Sequence, residues 1–197
     1  STGNELVEPG VKPAPGKIRN SNAYYLISGI IQYGGLPAYY GVAKDNRNKM
    51  EKKISDALAD SDMVITTGGV SVGKYDLVRE ILQKTGVSLH FTRVAIKPGR
   101  PFTFGTKNTR IFFGLPGNPV SVYFTFQLFV RPLLHSLQGT QPTIRKISLP
   151  LARDFVTSHG REECVPVIIK DGLAHPVASK SGLITTVSCA DGYFRIP

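Results

Sequence analysis

The residues best suited to chemistry lie in short turns that follow apolar runs. Thr67-Gly-Gly-Val-Ser-Val-Gly73 follows the apolar run Met63–Thr67 and precedes a helix-type pattern. Adjacent glycines let the backbone approach a ligand closely. Successive N–H groups and the dipole of the following helix favour negative charge there. The turn is therefore read as an anion-binding loop. Gly68, Gly69, Val70 and Gly73 supply backbone, and Thr67 and Ser71 add hydroxyl donors. Asp76 puts a carboxylate at a place that otherwise attracts anions. It either caps the next helix or holds a Mg²⁺ that bridges it to a phosphate.

Two further turns carry polar groups. Ile96-Lys-Pro-Gly-Arg-Pro101 places Lys97 and Arg100 on a proline-stiffened loop, where both cations can aim at one oxyanion. A solvated surface turn is the plain alternative. Gly114-Leu-Pro-Gly-Asn-Pro119 shapes a second loop on the same edge, with Asn118 as the natural cap of the helix that Pro119 opens. Glu5 and Asp45 each follow a strand-like exit, so both can face this edge. The convergence of acids, Lys97, Arg100 and glycines at strand exits raises each above an ordinary surface residue.

Elements must alternate for those turns to share an edge. A helix capped by Ser21 or Asn22 carries Leu26, Ile27, Ile30 and Ile31 on one face and ends at Gly34. Leu36–Val42 reads as a strand, followed by a helix with Met50, Ile54, Ala57 and Leu58 inward. After the glycine-rich turn, Leu77, Val78, Ile81 and Leu82 mark another helix that stops at Gly86. Val87–Ala95 reads as a strand, and Phe102–Gly105 with Arg110–Leu115 as a hairpin, before a long helix from Pro119. This alternation predicts an α/β domain over residues 1–140 with a mostly parallel sheet covered on both faces. Residues 138–142 read as a linker. Beyond them the runs Lys146–Leu151, Val165–Lys170, Ala174–Val177 and Ile184–Ser188 predict a small all-β domain over 143–197.

Composition narrows the function. The formal net charge is +10, which suits an anionic ligand. The basic residues are scattered and lack an interleaved aromatic platform, so nucleic acid is not expected as a partner. No apolar run is long enough to span a membrane. The opening Ser1-Thr-Gly lacks a basic and apolar leader, and Cys164 and Cys189 read as reduced core thiols of a cytoplasmic protein. The four histidines are dispersed, no nucleophile elbow is present, and the loop lacks the Gly-Lys-Ser/Thr of a P-loop. Both ends read as cut, with the first strand truncated and Phe194–Pro197 stopping inside an apolar run.

Taken in order, Ser1-Thr-Gly-Asn-Glu-Leu6, Thr67–Gly73 with Asp76, Ala95–Pro101 and Gly114–Pro119 resemble the molybdopterin molybdenumtransferase family. Its members include MoeA in bacteria and the gephyrin E domain in animals, and the resemblance covers nearly the whole chain. It implies that residues 1–140 form the three-layer α/β/α sandwich shared with Mog-type adenylyltransferases. Residues 143–197 would begin the β-barrel-like domain that follows. It implies magnesium-binding and catalytic roles for Glu5, Asp45 and Asp76, and molybdate or phosphate contacts for Lys97 and Arg100. The ligand-binding positions then include Pro116, Gly117, Asn118 and Pro119, with Arg161 and Ser181 from the second domain. The implied reaction is Mg²⁺-dependent insertion of molybdate into adenylylated molybdopterin with release of AMP, in molybdenum cofactor biosynthesis. The implied partners are molybdopterin-AMP, molybdate, a second copy as homodimer, and an adenylyltransferase.

Two departures from the family pattern stand out. Arg100 occupies a position where many relatives carry lysine, so a planar fork replaces a point donor. The family's two N-terminal domains are not in this sequence, and in relatives they complete the active site across the dimer. The chain is therefore expected to be an incomplete catalyst. Two other readings stand beside the insertase: the adenylyltransferase step of Mog-type proteins, and a dimeric scaffold as in gephyrin.

Overall fold

Met50, Ile54, Ala57 and Leu58 recur at helical spacing, and in the computed structural model of the chain they are the buried side of one helix. The structure describes all residues except 45, 70–74, 158–159 and 178–181, and only the backbone of Tyr75, Asp76 and Leu77. The chain folds as two units. One comprises Ser1–Val94 with Pro101–Gly117, and the other Ala95–Arg100 with Asn118–Pro197.

The first unit begins with two short parallel strands, β1 (Leu6–Val7) and β2 (Ile18–Arg19). Helix α1 (Ser21–Gln32) is capped by Asn20, whose side chain accepts from Ala23 N, rather than by Ser21 or Asn22. Gly34, with φ +79°, ends it. Leu36–Val42 is irregular instead of a strand, because only Ala43 finds a partner, in a parallel bridge with Thr2. Helix α2 (Arg47–Asp60) is capped by Asn46, and β3 (Met63–Thr67) runs toward the glycine-rich turn. Helix α3 (Tyr75–Lys84) follows and closes at Gly86, whose φ of +80° a side chain would resist.

Three more strands complete the four-stranded sheet of this unit: β4 (Ser88–Arg93), β6 (Pro101–Lys107) and β7 (Arg110–Leu115), with β5 (Ile96–Lys97) belonging to the other unit. The order is β3-β7-β6-β4. The β3–β7 pair is parallel, and the β6–β7 hairpin and β4–β6 pair are antiparallel, so this sheet is mixed. The hairpin turns at Asn108 with φ 53°, a conformation asparagine tolerates. One face carries Val64 and Phe112 against Ile54, Leu58, Val78, Ile81 and Leu82 of α2 and α3. The opposite face carries Phe91, Phe102, Phe104 and Phe113, with ring centroids 5.3–6.0 Å apart. The α/β class expected from the alternation is the observed one.

In the second unit the helix from Pro119 runs as α4 (Pro119–Thr125), a π-helical turn (Phe126–Val130) and α5 (Arg131–Leu137). Residues 141–150 form neither helix nor strand. The remaining elements are β8 (Glu162–Lys170), β9 (Leu173–Pro176), α6 (Thr185–Ser188) and β10 (Gly192–Ile196). The run Ile184–Ser188, expected as a strand, thus contains a helical turn that buries Thr186 and Val187. Val187 packs with Val120, Phe124 and Cys164. Cys164 is buried as expected, whereas Cys189 is exposed.

Leu82 is fully buried between α3 and the sheet. Leu82→Ala should therefore destabilise the protein by about 2–5 kcal/mol. A urea denaturation curve compared with the unchanged protein measures the shift.

Candidate functional site

The parallel pairing of β3 with β7, Thr67 opposite Leu115, makes both strands end at the same edge of the sheet. A third segment joins them. Thr2 N donates to Thr67 O at 2.8 Å and Thr2 Oγ1 to the same carbonyl at 3.1 Å. On its other side Ala43 N donates to Ser1 O and Gly3 N to Ala43 O. Ser1–Gly3 therefore lies as a strand exit between Ala43 and β3.

Gly68 and Gly69 turn the chain away from β3 with φ of +76° and +70°. A Cβ on Gly68 would lie 2.7 Å from Thr2 O, and one on Gly69 2.7 Å from Thr2 Oγ1. Glycine is needed twice over, for the left-handed backbone and for the contact with Thr2. Gly68 N donates to Leu115 O at 3.1 Å, and Gly117 passes so close that its Cβ would be 3.7 Å from Gly68 Cα. The two expected loops, Thr67–Gly69 and Leu115–Gly117, are thus in contact. Val70, Ser71 and Gly73 lie outside the described residues.

Side-chain hydrogen bonds that sequence spacing does not reveal hold this edge. Asn22 donates from Nδ2 to Gly117 O at 2.8 Å. Thr67 is buried and donates its hydroxyl to Ser1 Oγ, which in turn donates to Asn20 Oδ1. Asn20, also buried, donates to the Tyr39 hydroxyl, and Tyr39 donates to Glu8 Oε1. Burial and the adjacent Glu8 carboxylate push the Tyr39 phenol well above its ordinary range. The Asn-Ser-Asn run at 20–22 was the available signal. Its middle and last residues drew attention only as helix caps.

Of the three expected metal-holding acids, Asp45 lies outside the described residues, and Asp76 is placed only by its backbone, as the second residue of α3. Glu5 is exposed and pairs with no cation among the described residues. Its carboxylate folds over Gly3, where any Cβ would collide with it. Among the described residues no group of three His, Cys, Asp or Glu could hold a metal. The expected donors are all carboxylate oxygens, which suits Mg²⁺.

In the second unit β5 pairs in parallel with β8, placing Lys97 opposite Glu163. Lys97 Nζ lies 3.0 Å from Glu163 Oε1, and Thr157 donates to Glu163 Oε2 at 2.6 Å. Burial alone would raise the Glu163 carboxyl. The Thr157 hydroxyl and the Lys97 ammonium outweigh it, with Arg161 adding positive potential, and hold it below the ordinary range. Glu163 is thus a charged partner for Lys97 that sequence spacing did not reveal. Arg100 is exposed and has no hydrogen bond or ion pair among the described residues. The Lys97–Pro98 peptide is cis. Gly99, at φ +121°, leaves room for Thr125 and Ile96, which a Cβ would approach to 2.9 and 3.0 Å.

Pro119 is the first residue of α4. Asn118 stands at the cap position, where its backbone carbonyl, rather than its side chain, accepts from Val122 N. Pro116 is buried, Gly117 and Asn118 are exposed, and Ser181 is outside the described residues.

A model of the family described as "Probable molybdopterin binding domain" matches residues 1–136. The chain belongs to this family. A second model, "MoeA C-terminal region (domain IV)", matches residues 148–197, so the two matches follow the order that the motifs imply. The chain is 40% identical over 170 residues to a molybdopterin molybdenumtransferase of Nostoc, covering 83% of this chain and 38% of that protein. It is 34% identical to the molybdopterin molybdenumtransferase of Bacillus subtilis, over 100% of this chain and 47% of that protein. The crystal structure of the molybdopterin biosynthesis MoeA protein from Pyrococcus horikoshii superimposes with a TM-score of 0.87 at 33% identity. That match covers 100% of this chain and 48% of the other. The chain therefore spans about half the length, or less, of these relatives. Among the described residues no helix is long and apolar enough to cross a membrane.

The contact between Thr2 and the two glycines gives a direct test. Gly68→Ala should cost about 1–3 kcal/mol or more, since a left-handed φ and a backbone clash add together. Gly10→Ala, with nothing within 4 Å of its Cβ, should be nearly neutral. Parallel denaturation curves check both.

Proposed function

We propose that this protein takes part in molybdenum cofactor biosynthesis by inserting molybdate into adenylylated molybdopterin with release of AMP. The observation that carries this reading is the edge built by Thr2, Gly68, Gly69 and Gly117, in a chain of the molybdopterin-binding family. Backbone that packs this closely leaves no side chain at the turn; Gly68 N–H is held by Leu115 O, so the N–H groups offered to a phosphate are those that follow Gly68. Lys97, Arg100 and Arg161 supply the charge for oxyanions, molybdate among them. Both curated relatives above are named molybdopterin molybdenumtransferase, which favours this reaction over the adenylyltransferase step.

The chemistry asks little of a protein nucleophile. Water attacks the phosphoanhydride that joins molybdopterin to AMP, and AMP leaves carrying the negative charge. The loop N–H groups are suited to hold a phosphate, and the cations to hold the incoming dianion. Glu5, Asp45 and Asp76 are the residues that would hold Mg²⁺, which when bound polarises the phosphate under attack. Arg100 offers two parallel N–H donors to an oxyanion, where lysine would offer a single point charge. A homodimer, an adenylyltransferase that hands over the substrate, and a cytoplasmic location complete the proposal.

Molybdate-dependent AMP release from molybdopterin-AMP in the presence of Mg²⁺, measured in the full-length enzyme, is the test. Asp76→Asn should abolish that release while leaving the thermal melting profile unchanged; Lys97→Ala should abolish it with a lowered but still cooperative melting transition, because Glu163 loses its partner. Near-normal release by either variant would refute its assigned role. Pyrophosphate release from ATP and molybdopterin would instead point to the adenylyltransferase.

A further inference from the structure

Lys97 is the cation nearest to hand for an oxyanion on the Lys97–Arg100 loop, yet it is already engaged. The parallel register of β5 on β8 puts Glu163 across from it, and the carboxylate sits 3.0 Å from the ammonium. Glu163 is mostly buried and Lys97 is half exposed, so the acid is fixed and the cation faces outward. Thr157 holds the far carboxylate oxygen at 2.6 Å, a second tether that opposes rotation of the Glu163 carboxylate away from Lys97. The Thr157 hydroxyl and the Lys97 ammonium, with Arg161 adding a smaller contribution, keep the acid in its charged form. A ligand that binds Lys97 therefore meets a fixed negative charge directly behind the ammonium.

We propose that Glu163 sets the charge specificity of the oxyanion position at Lys97: it holds the ammonium in place and weakens the binding of dianions more than that of monoanions. The inference rests on the reading of Lys97 as an oxyanion ligand. The physical basis is Coulombic. Repulsion between Glu163 and a bound anion scales with the anion's charge, whereas orientation of Lys97 serves every anion alike. A site made only of cations would hold a dianion tightly and release it slowly. A buried carboxylate beside one of them moderates that affinity, so that the oxyanion can pass on to an acceptor. Glu163 acts through Lys97 and is a positioning residue in this sense.

The experiment compares two tetrahedral oxyanions of similar size and different charge, tungstate (2−) and perrhenate (1−), by isothermal titration calorimetry on the whole chain. Glu163→Gln keeps an oxygen acceptor for Lys97, turns its amide NH2 toward the Thr157 hydroxyl, which can accept in its place, and removes the charge. It should tighten tungstate at least ~5-fold and perrhenate only ~2-fold, because the gain in free energy halves with the ligand charge. Glu163→Ala discards the acceptor as well, yet the ratio of tungstate to perrhenate affinity should rise in it too. That ratio is insensitive to a general loosening of the fold. An unchanged ratio in both variants, or an equal gain for both anions, would overturn the proposal. Lys97→Ala separates the two levels of the argument. If it weakens tungstate binding while Glu163→Gln leaves the ratio unchanged, only the role of Glu163 fails. If the unchanged protein binds no tungstate, or Lys97→Ala binds it equally well, the oxyanion reading of Lys97 fails and this inference with it.

Discussion

Where β3 ends, the chain has to turn within a space bounded by the Thr2 carbonyl and hydroxyl on one side and by Gly117 on another. Gly68 and Gly69 meet that constraint because they lack a Cβ and accept a left-handed backbone. The remainder of the first unit follows from this close approach. Thr2 can reach Thr67 O only if the turn is bare, and Ala43 can pair with Ser1–Gly3 only if that segment is drawn alongside β3. Asn22 on α1 then ties Gly117 to the same edge. The core of α2 and α3 against Val64 and Phe112 holds β3 and β7 in the parallel register that brings their ends together.

Polar groups at this edge are largely spent on one another. Thr67, Ser1, Asn20 and Tyr39 form a chain of hydrogen bonds that ends on Glu8. Its buried members, Thr67 and Asn20, are satisfied and so add rigidity, whereas an unsatisfied buried group would cost stability. The hydroxyls at this edge are therefore engaged, and so is the Gly68 N–H, which donates to Leu115 O. In the second unit the same economy appears with charge. Lys97 is offset by Glu163, and Arg195 makes a two-pronged pair with Glu162, whose carboxyl it holds below the ordinary range. Arg100 carries its charge without such a partner among the described residues.

Much of the first unit was legible in the sequence. Met50, Ile54, Ala57 and Leu58 could be assigned inward because helical spacing and burial coincide, and the 106–109 turn was marked by its flanking aromatic runs. Leu36–Val42 misled because its apolar residues suggest a strand while only Ala43 has a neighbour to pair with. Ile184–Ser188 misled for a related reason. A short run rich in β-branched residues reads equally as a strand or a buried helical turn, and packing of Val187 against Phe124 decides it. At the candidate site, the glycines and Lys97 were visible as motifs. The roles of Thr2, Asn22 and Glu163 were not, since each acts on a residue far away in the chain through sheet register or a single hydrogen bond.

In the proposed function the bare turn at Gly68–Gly69 takes a phosphate while Lys97 and Arg100 take an oxyanion. A crystal of the protein soaked with tungstate, AMP and Mg²⁺ tests it most directly, because tungsten reveals itself by anomalous scattering. The expected result is a tungsten peak within hydrogen-bond reach of Lys97 Nζ or the Arg100 guanidinium, with the AMP phosphate on the backbone N–H groups of the turn. Tungsten bound only at other basic residues, or AMP density away from Gly68 and Gly69, would contradict it.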